Sequence, residues 1–333
     1  MRRYRLEIFD AEGKPPRASD GTPIGPFDTT ETPGRGLHIV FDALIAGYDV
    51  ISSGTMISIF GLPITMLSQS VKLNGYQLNL YAGFSAGLPL ANPDQAGLII
   101  SGQIYNPYAN WEGTHQSMNL IVNPSPLLND KGQATSITLD GKKGEKLSTV
   151  LLRGLATAYP KFTLDISISD RLVWSEDAPG FYPRLGPMAT MLRGQSIAMI
   201  NDESYSGIQT VMQNNVIRIF DNFTLPEAGG NQILPQELIG QPTWIGLNTV
   251  SFKCPLRYDL HCGDVIELPT NIISGPTSIL SVNTERSFSM YRNNVNFSGK
   301  YQINSVRHVG QYLSPDSSNA WVTIYEAFVL GKQ

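Results

Sequence analysis

Short runs in which apolar and polar residues alternate recur along most of this chain, and they constrain its fold more than any other feature. Tyr4-Arg5-Leu6-Glu7-Ile8-Phe9 sets Leu6 and Ile8 on one face. Leu37-His38-Ile39-Val40-Phe41 sets Leu37, Ile39 and Phe41 together, and Tyr76-Gln77-Leu78-Asn79-Leu80 does the same with Tyr76, Leu78 and Leu80. A period of two is the mark of a half-buried strand. Further strands are expected at Thr55–Phe60, Leu98–Tyr105 and Gln116–Val122. Toward the C-terminus they are expected at Val250–Lys253, Asp264–Leu268, Ser278–Val282, Ser287–Tyr291, Lys300–Val309 and Trp321–Val329. Many short strands separated by turn residues read as antiparallel barrels or sandwiches.

The middle of the chain has a different character. After Asn123-Pro124-Ser125-Pro126 the pattern becomes strand (Ser136–Leu139), helix (Lys143–Ala158) and strand (Phe162–Ile168). In that helix Leu147, Val150, Leu151, Leu155 and Ala158 fall at helical spacing. A second helix is expected over Gly186–Met199, with Pro187 in its first turn. A hairpin over Ile208–Met212 and Val216–Phe220 turns at Asn214-Asn215, residues that tolerate positive φ. The Pro/Gly-bearing segment Leu225–Pro235 then leads back to strands. The expected organisation is a first β-barrel over 1–125, an α+β insert over 126–225 and a second β-barrel over 226–333. The fold class is mainly β with an α+β insert.

The two β regions end alike. Ser101-Gly102-Gln103-Ile104 precedes a turn bearing Trp111 and then Met118-Asn119-Leu120-Ile121-Val122. Lys300-Tyr301-Gln302-Ile303 precedes a polar turn and then Trp321-Val322-Thr323-Ile324-Tyr325. Earlier in each comes Leu-Pro, at Leu88-Pro89 and Leu268-Pro269. This pattern reads as an internal duplication of one β fold, with the α+β unit inserted between the copies.

Composition narrows the functional classes. Of 333 residues, 41% are hydrophobic and 16% charged, against about 25% charged in an average domain. That apolar content, with a net charge of −4, excludes intrinsic disorder. The longest apolar stretch, Met56 to Leu67, is broken by Ser58, Gly61, Pro63 and Thr65 and is too short for a membrane helix. Twenty-four basic against 28 acidic residues leave no basic footprint for a nucleic-acid backbone. Arg2, Arg3 and Arg5 read as a solvated chain start, because Glu7 and Asp10 interrupt any export signal. Cys254 and Cys262, the only thiols, have neither redox nor zinc spacing and are expected buried and reduced.

No motif carries strong chemistry. Gly83-Phe84-Ser85-Ala86-Gly87 matches G-x-S-x-G, which in a hydrolase exposes the serine on a strand-to-helix turn. Here Leu88-Pro89-Leu90-Ala91-Asn92-Pro93 cannot continue as a helix, so a Gly-rich hairpin loop is the better reading. His38, His115, His261 and His308 stand alone, with His38 on the outward face of its strand. Cys254, His261, Cys262 and Asp264 match no common zinc pattern. The acid pairs Glu176-Asp177 and Asp202-Glu203 read as solvated turns. Gly141-Lys142-Lys143-Gly144 and Ser298-Gly299-Lys300 lack the frame of a phosphate loop. No catalytic residue, metal or cofactor is therefore assigned. Two features suit protein contacts instead. The Gly13–Gly36 loop, with Pro23 and Phe27, is too long to be a plain connection. Tyr105, Tyr108 and Trp111 place aromatic anchors on an expected turn.

Two stretches carry a resemblance. Tyr76-Gln77-Leu78-Asn79-Leu80-Tyr81-Ala82-Gly83, Gly87-Leu88-Pro89-Leu90-Ala91-Asn92-Pro93 and Ala96-Gly97-Leu98-Ile99-Ile100-Ser101-Gly102-Gln103-Ile104 resemble the first barrel of baseplate hub proteins from contractile bacteriophage tails. Gly240-Gln241-Pro242-Thr243-Trp244-Ile245, with Leu256-Arg257-Tyr258-Asp259-Leu260-His261-Cys262-Gly263-Asp264-Val265-Ile266-Glu267-Leu268-Pro269, is similar to the opening of their last barrel. The resemblance implies two tail-tube-like barrels in one chain and a homotrimeric ring of six barrels. That ring adapts the six-fold tail tube to a trimeric central spike protein. It also implies a channel for the tape-measure protein and DNA, contacts with other baseplate subunits, and a place in the virion baseplate after assembly in the host cytoplasm. With no fused spike region in this sequence, the spike is expected to be a separate chain, which sets the reading apart from a type VI secretion spike. A tube subunit generally holds one barrel. The competing class is a tail-associated hydrolase using Ser85.

Overall fold

Alternating segments form strands here, and the apolar positions of each alternation are the buried ones. The computed structural model describes residues 1–30, 36–48, 55–85, 92–124, 135–224, 230–246, 248–269, 297 and 299–330; the expected strands Ser278–Val282 and Ser287–Tyr291 lie outside them. β1 (Arg2–Phe9) buries Tyr4, Leu6 and Ile8. β2 (Phe27–Asp28), β3 (Ile39–Ile45), β4 (Thr55–Phe60), β5 (Gln77–Phe84), β6 (Gly97–Glu112) and β7 (His115–Asn123) follow. A one-turn helix, α1 (Ile64–Leu67), lies between β4 and β5. Their inward side chains, among them Phe41, Ile57, Ile59, Leu78, Leu80, Ile104 and Leu120, form one apolar cluster. Burying each of these aliphatic or aromatic side chains contributes roughly 1.5–3 kcal/mol.

The expected Gly13–Gly36 loop is partly structured. β2 pairs with β1, Leu6 opposite Phe27, and a bridge joins Arg17 to Pro23. Fully buried Ile24 supplies the apolar anchor between them. Arg2 is likewise no free chain start: its guanidinium donates to the carbonyls of Gln311, Tyr312, Ser314 and Asp316.

The middle region comprises β8 (Ile137–Leu139), α2 (Leu147–Ala158), β9 (Thr163–Ser167), β10 (Gly180–Tyr182), α3 (Leu185–Ile200), β11 (Gln209–Gln213) and β12 (Val216–Phe220). α2 begins later than Lys143 because Gly144 has φ +84°, which a right-handed helix cannot include. The β11–β12 turn uses Asn214 and Asn215 at φ 49° and 64°, as a two-residue hairpin requires. Leu139, Val150, Leu155, Met188, Leu192 and Ile217 share a second apolar cluster.

In the last region β13 (Asn231–Gln232), β14 (Thr243–Trp244), β15 (Thr249–Pro255), β16 (Val265–Glu267), β17 (Lys300–Gln311) and β18 (Trp321–Val329) surround a third cluster with Phe252, Cys254, Ile266, Ile303 and Tyr325. The expected pair of closed barrels is not seen among the described residues. Both β halves instead join one 13-stranded sheet of order β14-β15-β18-β17-β3-β4-β7-β6-β5-β1-β2, with β16 on β17 and β13 on β16. The reason is the length of β17. Its first residues pair with β16, and its remainder runs on to lie against β3.

Apart from β2, the halves repeat one another strand for strand among the described residues. The orders β3-β4-β7-β6-β5-β1 and β14-β15-β18-β17-β16-β13 correspond one to one, in the chain as well as in the sheet. Only the last pairing differs in direction, antiparallel for β1 and parallel for β13. The same irregularity bends both long strands, at Ile104/Asn106 in β6 and Ile303/Ser305 in β17. The same glycine turn holds both bends. Gly75 (φ +88°) donates to the Ile104 carbonyl at 2.8 Å, and Gly263 (φ +91°) to that of Ile303 at 2.7 Å. The register also corrects the sequence alignment: Val122 faces Ile104 and Ala327 faces Ile303, so Val122 corresponds to Ala327 rather than to Tyr325.

Candidate assembly interface

The aromatic segment expected as a turn is strand. β6 runs through to Glu112, and the reversal falls at Gly113-Thr114. Gly113 takes φ +58° there. The segment is strand because β7 supplies a partner for it all the way, Asn106 opposite Ile121 through Glu112 opposite His115. β5, by contrast, stops at Gln77 opposite Gln103. Beyond the bend, β6 is therefore paired on one side only among the described residues. Tyr105, Tyr108 and Trp111 are 57%, 41% and 63% exposed. Trp111 Nε1 donates to the Gly113 carbonyl at 2.8 Å, which leaves its ring face open. Tyr105 also borders a cleft of about 530 Å³ with Ile45, Tyr48, Val122 and Met212.

The two loop candidates differ from this strand. Pro23 is exposed in its bridge with Arg17. Phe27 packs, half-buried, against the chain's own first core, so its ring already has neighbours.

In the second half the strand equivalent to β6 has both neighbours, and the contact is dense. β17 pairs with β3 from Val306 opposite Ile45 to Gln311 opposite Val40. Arg307 clasps the Asp42 carboxylate with two bonds, of 2.8 and 2.6 Å, a bidentate geometry. Tyr4, Tyr312, Trp321 and Phe41 form a chain of edge-on rings with centroid distances of 4.9, 5.9 and 5.3 Å. Gly310 leaves room for the Phe41 ring, which a Cβ would overlap. Trp321 Nε1 donates to the Gly83 carbonyl at 2.9 Å, tying β18 to β5.

Polar groups buried along this junction were not marked by any motif. His308 is fully buried, with Nδ1 3.0 Å from Thr323 Oγ1, and burial pushes its pKa down to about 3. Arg257, whose side chain is 6% exposed, bonds Asp259 at 2.6 Å and Glu237 at 3.2 Å. Gln95 of the first half donates to the same Glu237 carboxylate at 2.7 Å. The one available signal was the lone Arg-x-Asp inside an apolar stretch, Leu256-Arg257-Tyr258-Asp259-Leu260, because a charge there needs a partner.

Of the residues weighed for catalysis or metal, His261 and Asp264 meet, Nδ1 to Oδ2 at 3.5 Å, with no third ligand completing a group among the described residues. Ser85 Oγ donates to the Met1 carbonyl at 3.1 Å, and Gly87 lies outside the described residues. His38 is half-buried rather than exposed: it lies 5.2 Å from the Phe60 ring and accepts from the Leu313 N–H. Asp264 is engaged by Arg218 at 2.7 Å. Burial acts to raise its pKa, but bonds from His261 and the Arg218 charge outweigh burial and hold the carboxyl low. Cys254 and Cys262 are free thiols, both buried, and burial pushes each up to about 12. Asp177 accepts from the Lys143 N–H, and Asp202 from Ser204. No group of three metal-ligating side chains occurs among the described residues, and no helix there is long and apolar enough to cross a membrane.

No family model matches the chain, and no curated protein does. Solved structures of similar outline include the 43 kDa tail protein of prophage MuSo2 from Shewanella oneidensis, at 8% identity over 99% of this chain and 98% of that one, TM-score 0.48. A tail protein from Neisseria meningitidis MC58 is 7% identical over 98% and 96%, TM-score 0.49. A component of the type VI secretion system from E. coli, described as structurally similar to T4 bacteriophage tail proteins, is 9% identical over 89% and 74%, TM-score 0.48.

Proposed function

We propose that this chain is a structural baseplate hub of a contractile phage tail. Three copies form a ring of six β units that joins a six-fold tail tube to a three-fold central spike. The channel passes the tape-measure protein and DNA without specific binding. The observation that carries this reading is the duplication: two β halves with the same strand order, the same bend and the same glycine turn, joined edge to edge within one chain. A chain of two like units lets three copies present six equivalent faces upward while keeping three-fold symmetry below. The Tyr76–Ile104 and Gly240–Pro269 resemblance supports the same reading. A channel for DNA suits a chain with 16% charged residues and no basic excess.

The test is native mass measurement with class averaging of the particles. A three-copy ring with six-fold appearance from above is expected; a ring of any other order overturns the hub assignment. The role proposed is not catalytic. Ser85→Ala is accordingly expected to leave ring formation unchanged and to abolish no turnover on ester or peptidoglycan substrates, whereas Ser85-dependent turnover would establish the hydrolase reading.

A further inference from the structure

β6 and β17 are equivalent strands with unequal neighbours. Beyond the bend, the β17 edge facing away from β18 is taken by β3. The matching edge of β6, from Pro107 to Glu112, has no partner among the described residues. The equivalent of β3 in the second half is β14, and among the described residues it pairs with β15 alone. One chain thus carries a complete seam and the two separated sides of another.

We propose that the Pro107–Glu112 edge of one copy pairs antiparallel with residues 241–246 of a second copy, in the register that β17 and β3 use within the chain. This rests on the ring reading above, and it adds the edge, the partner segment and the register. Aligning the two bends sets Pro107 on Val306 and Glu112 on Gln311. Aligning β4 with β15 through their β7 and β18 partners sets Asp42 on Thr243 and Ala43 on Trp244. Transferring the β17–β3 register then puts Pro107 opposite Gly246, Tyr108 opposite Ile245, Ala109 opposite Trp244, Asn110 opposite Thr243, and Trp111 opposite Pro242.

Main-chain directions agree with this register on both sides. Gly61 N–H donates to the Gln116 carbonyl, so Met118 and Leu120 of β7 face β4, and Ser117, Asn119 and Ile121 face β6. Their partners Asn110, Tyr108 and Asn106 are thereby committed to β7, which turns the Ala109 and Trp111 N–H groups outward. Ile245 N–H donates to the Thr249 carbonyl, which directs Ile245 and Thr243 toward β15 and turns Trp244 outward. Ala109 and Trp244 can therefore exchange two hydrogen bonds, and Trp111 N–H can donate to Pro242. The two prolines lack a donor, so the ladder is short, and an edge bearing Pro resists pairing in other registers.

The side chains match as well. Tyr108 is 41% and Ile245 52% exposed, and the register sets these two uncovered apolar groups against each other. The polar Asn110 and Thr243 form the next pair. Trp111, the most exposed of the aromatic trio, arrives beside Pro242.

The test is disulfide trapping of the non-hydrogen-bonded pair, whose Cα spacing suits a cross-strand bond. Native Cys254 and Cys262 are buried and do not compete. The Asn110→Cys/Thr243→Cys variant is expected to oxidise to a covalently closed ring with one intermolecular bond per chain. Tyr108→Cys/Ile245→Cys is a second in-register pair, should the first variant fail to fold. Asp42→Cys/Val309→Cys, the same pair in the intact seam, is the intramolecular positive control. Ala109→Cys/Thr243→Cys, one residue out of register, is expected to form no such bond. An Ala109→Pro variant is expected to stay folded and lose the ring, because the removed N–H faces away from β7. A wild-type three-copy ring whose in-register pairs both fail to cross-link overturns this interface and leaves the hub reading standing. Cross-linked rings of another order support the interface and overturn the hub. A protein that is monomeric and never cross-linked overturns both.

Discussion

His308 shows how a single buried residue sets a pH limit. Its folded pKa of about 3 lies below the ordinary 6.5, so the unfolded chain binds the proton more readily. Stability is therefore complete above pH 6.5 and falls as pH drops toward 3, by up to about 1.4 kcal/mol per pH unit. Urea titrations at pH 7 and pH 5 should show that loss, and His308→Gln should leave only the part owed to His38, whose half-burial also lowers its pKa. Carboxylates whose pKa values are held low, such as Asp264, act only at still lower pH. Arg257 is a second case. Replacing it with Met leaves Glu237 and Asp259 without the guanidinium, and a loss of about 3 kcal/mol in unfolding free energy, measured by denaturant titration, is expected.

At the scale of elements, the bends of β6 and β17 rest on Gly75 and Gly263. A Cβ at Gly75 meets nothing within 4 Å, so Gly75→Ala isolates the backbone cost of φ +88°, roughly 1–2 kcal/mol. Thermal denaturation would read it, and Gly113→Asn is expected to cost a comparable amount, because φ is positive at Gly113 but not at Thr114, the pattern of the two-residue turn that takes glycine first. Element types were mostly legible in the sequence: β4 and β18 occupy the expected spans, α2 sits on its apolar spacing, and α3 (Leu185–Ile200) extends the expected Gly186–Met199 by one residue at each end. The extension of β6 through Tyr105–Trp111 was not, because Asn106, Pro107 and Asn110 are turn formers by composition. What makes them strand is β7, a partner that local propensity does not contain. For the same reason the three aromatics could be singled out from sequence as candidate contact residues, while the strand edge they lie on could not. Arg2 escaped likewise, since its four carbonyl partners lie across more than three hundred residues of chain.

For the molecule as a whole, the β17–β3 junction makes the two halves mechanically one body. Phe41 packs against Trp321 and into the space left by Gly310. Phe41→Ala is expected to cost about 3–5 kcal/mol and to lower hydrogen-exchange protection in β4 and β18 together, although these strands belong to different halves. Loss of protection confined to β4 would mean that the halves open separately.

In the proposed ring of three chains, half of the six seams are held by covalent continuity. The seam between β17 and β3 is closed at any protein concentration, since its two strands belong to the same polypeptide. Building the ring then requires three bodies to meet rather than six, and the translational freedom surrendered is that of two encounters instead of five. Dilution can release a copy from its neighbours, but it cannot separate the halves within a copy.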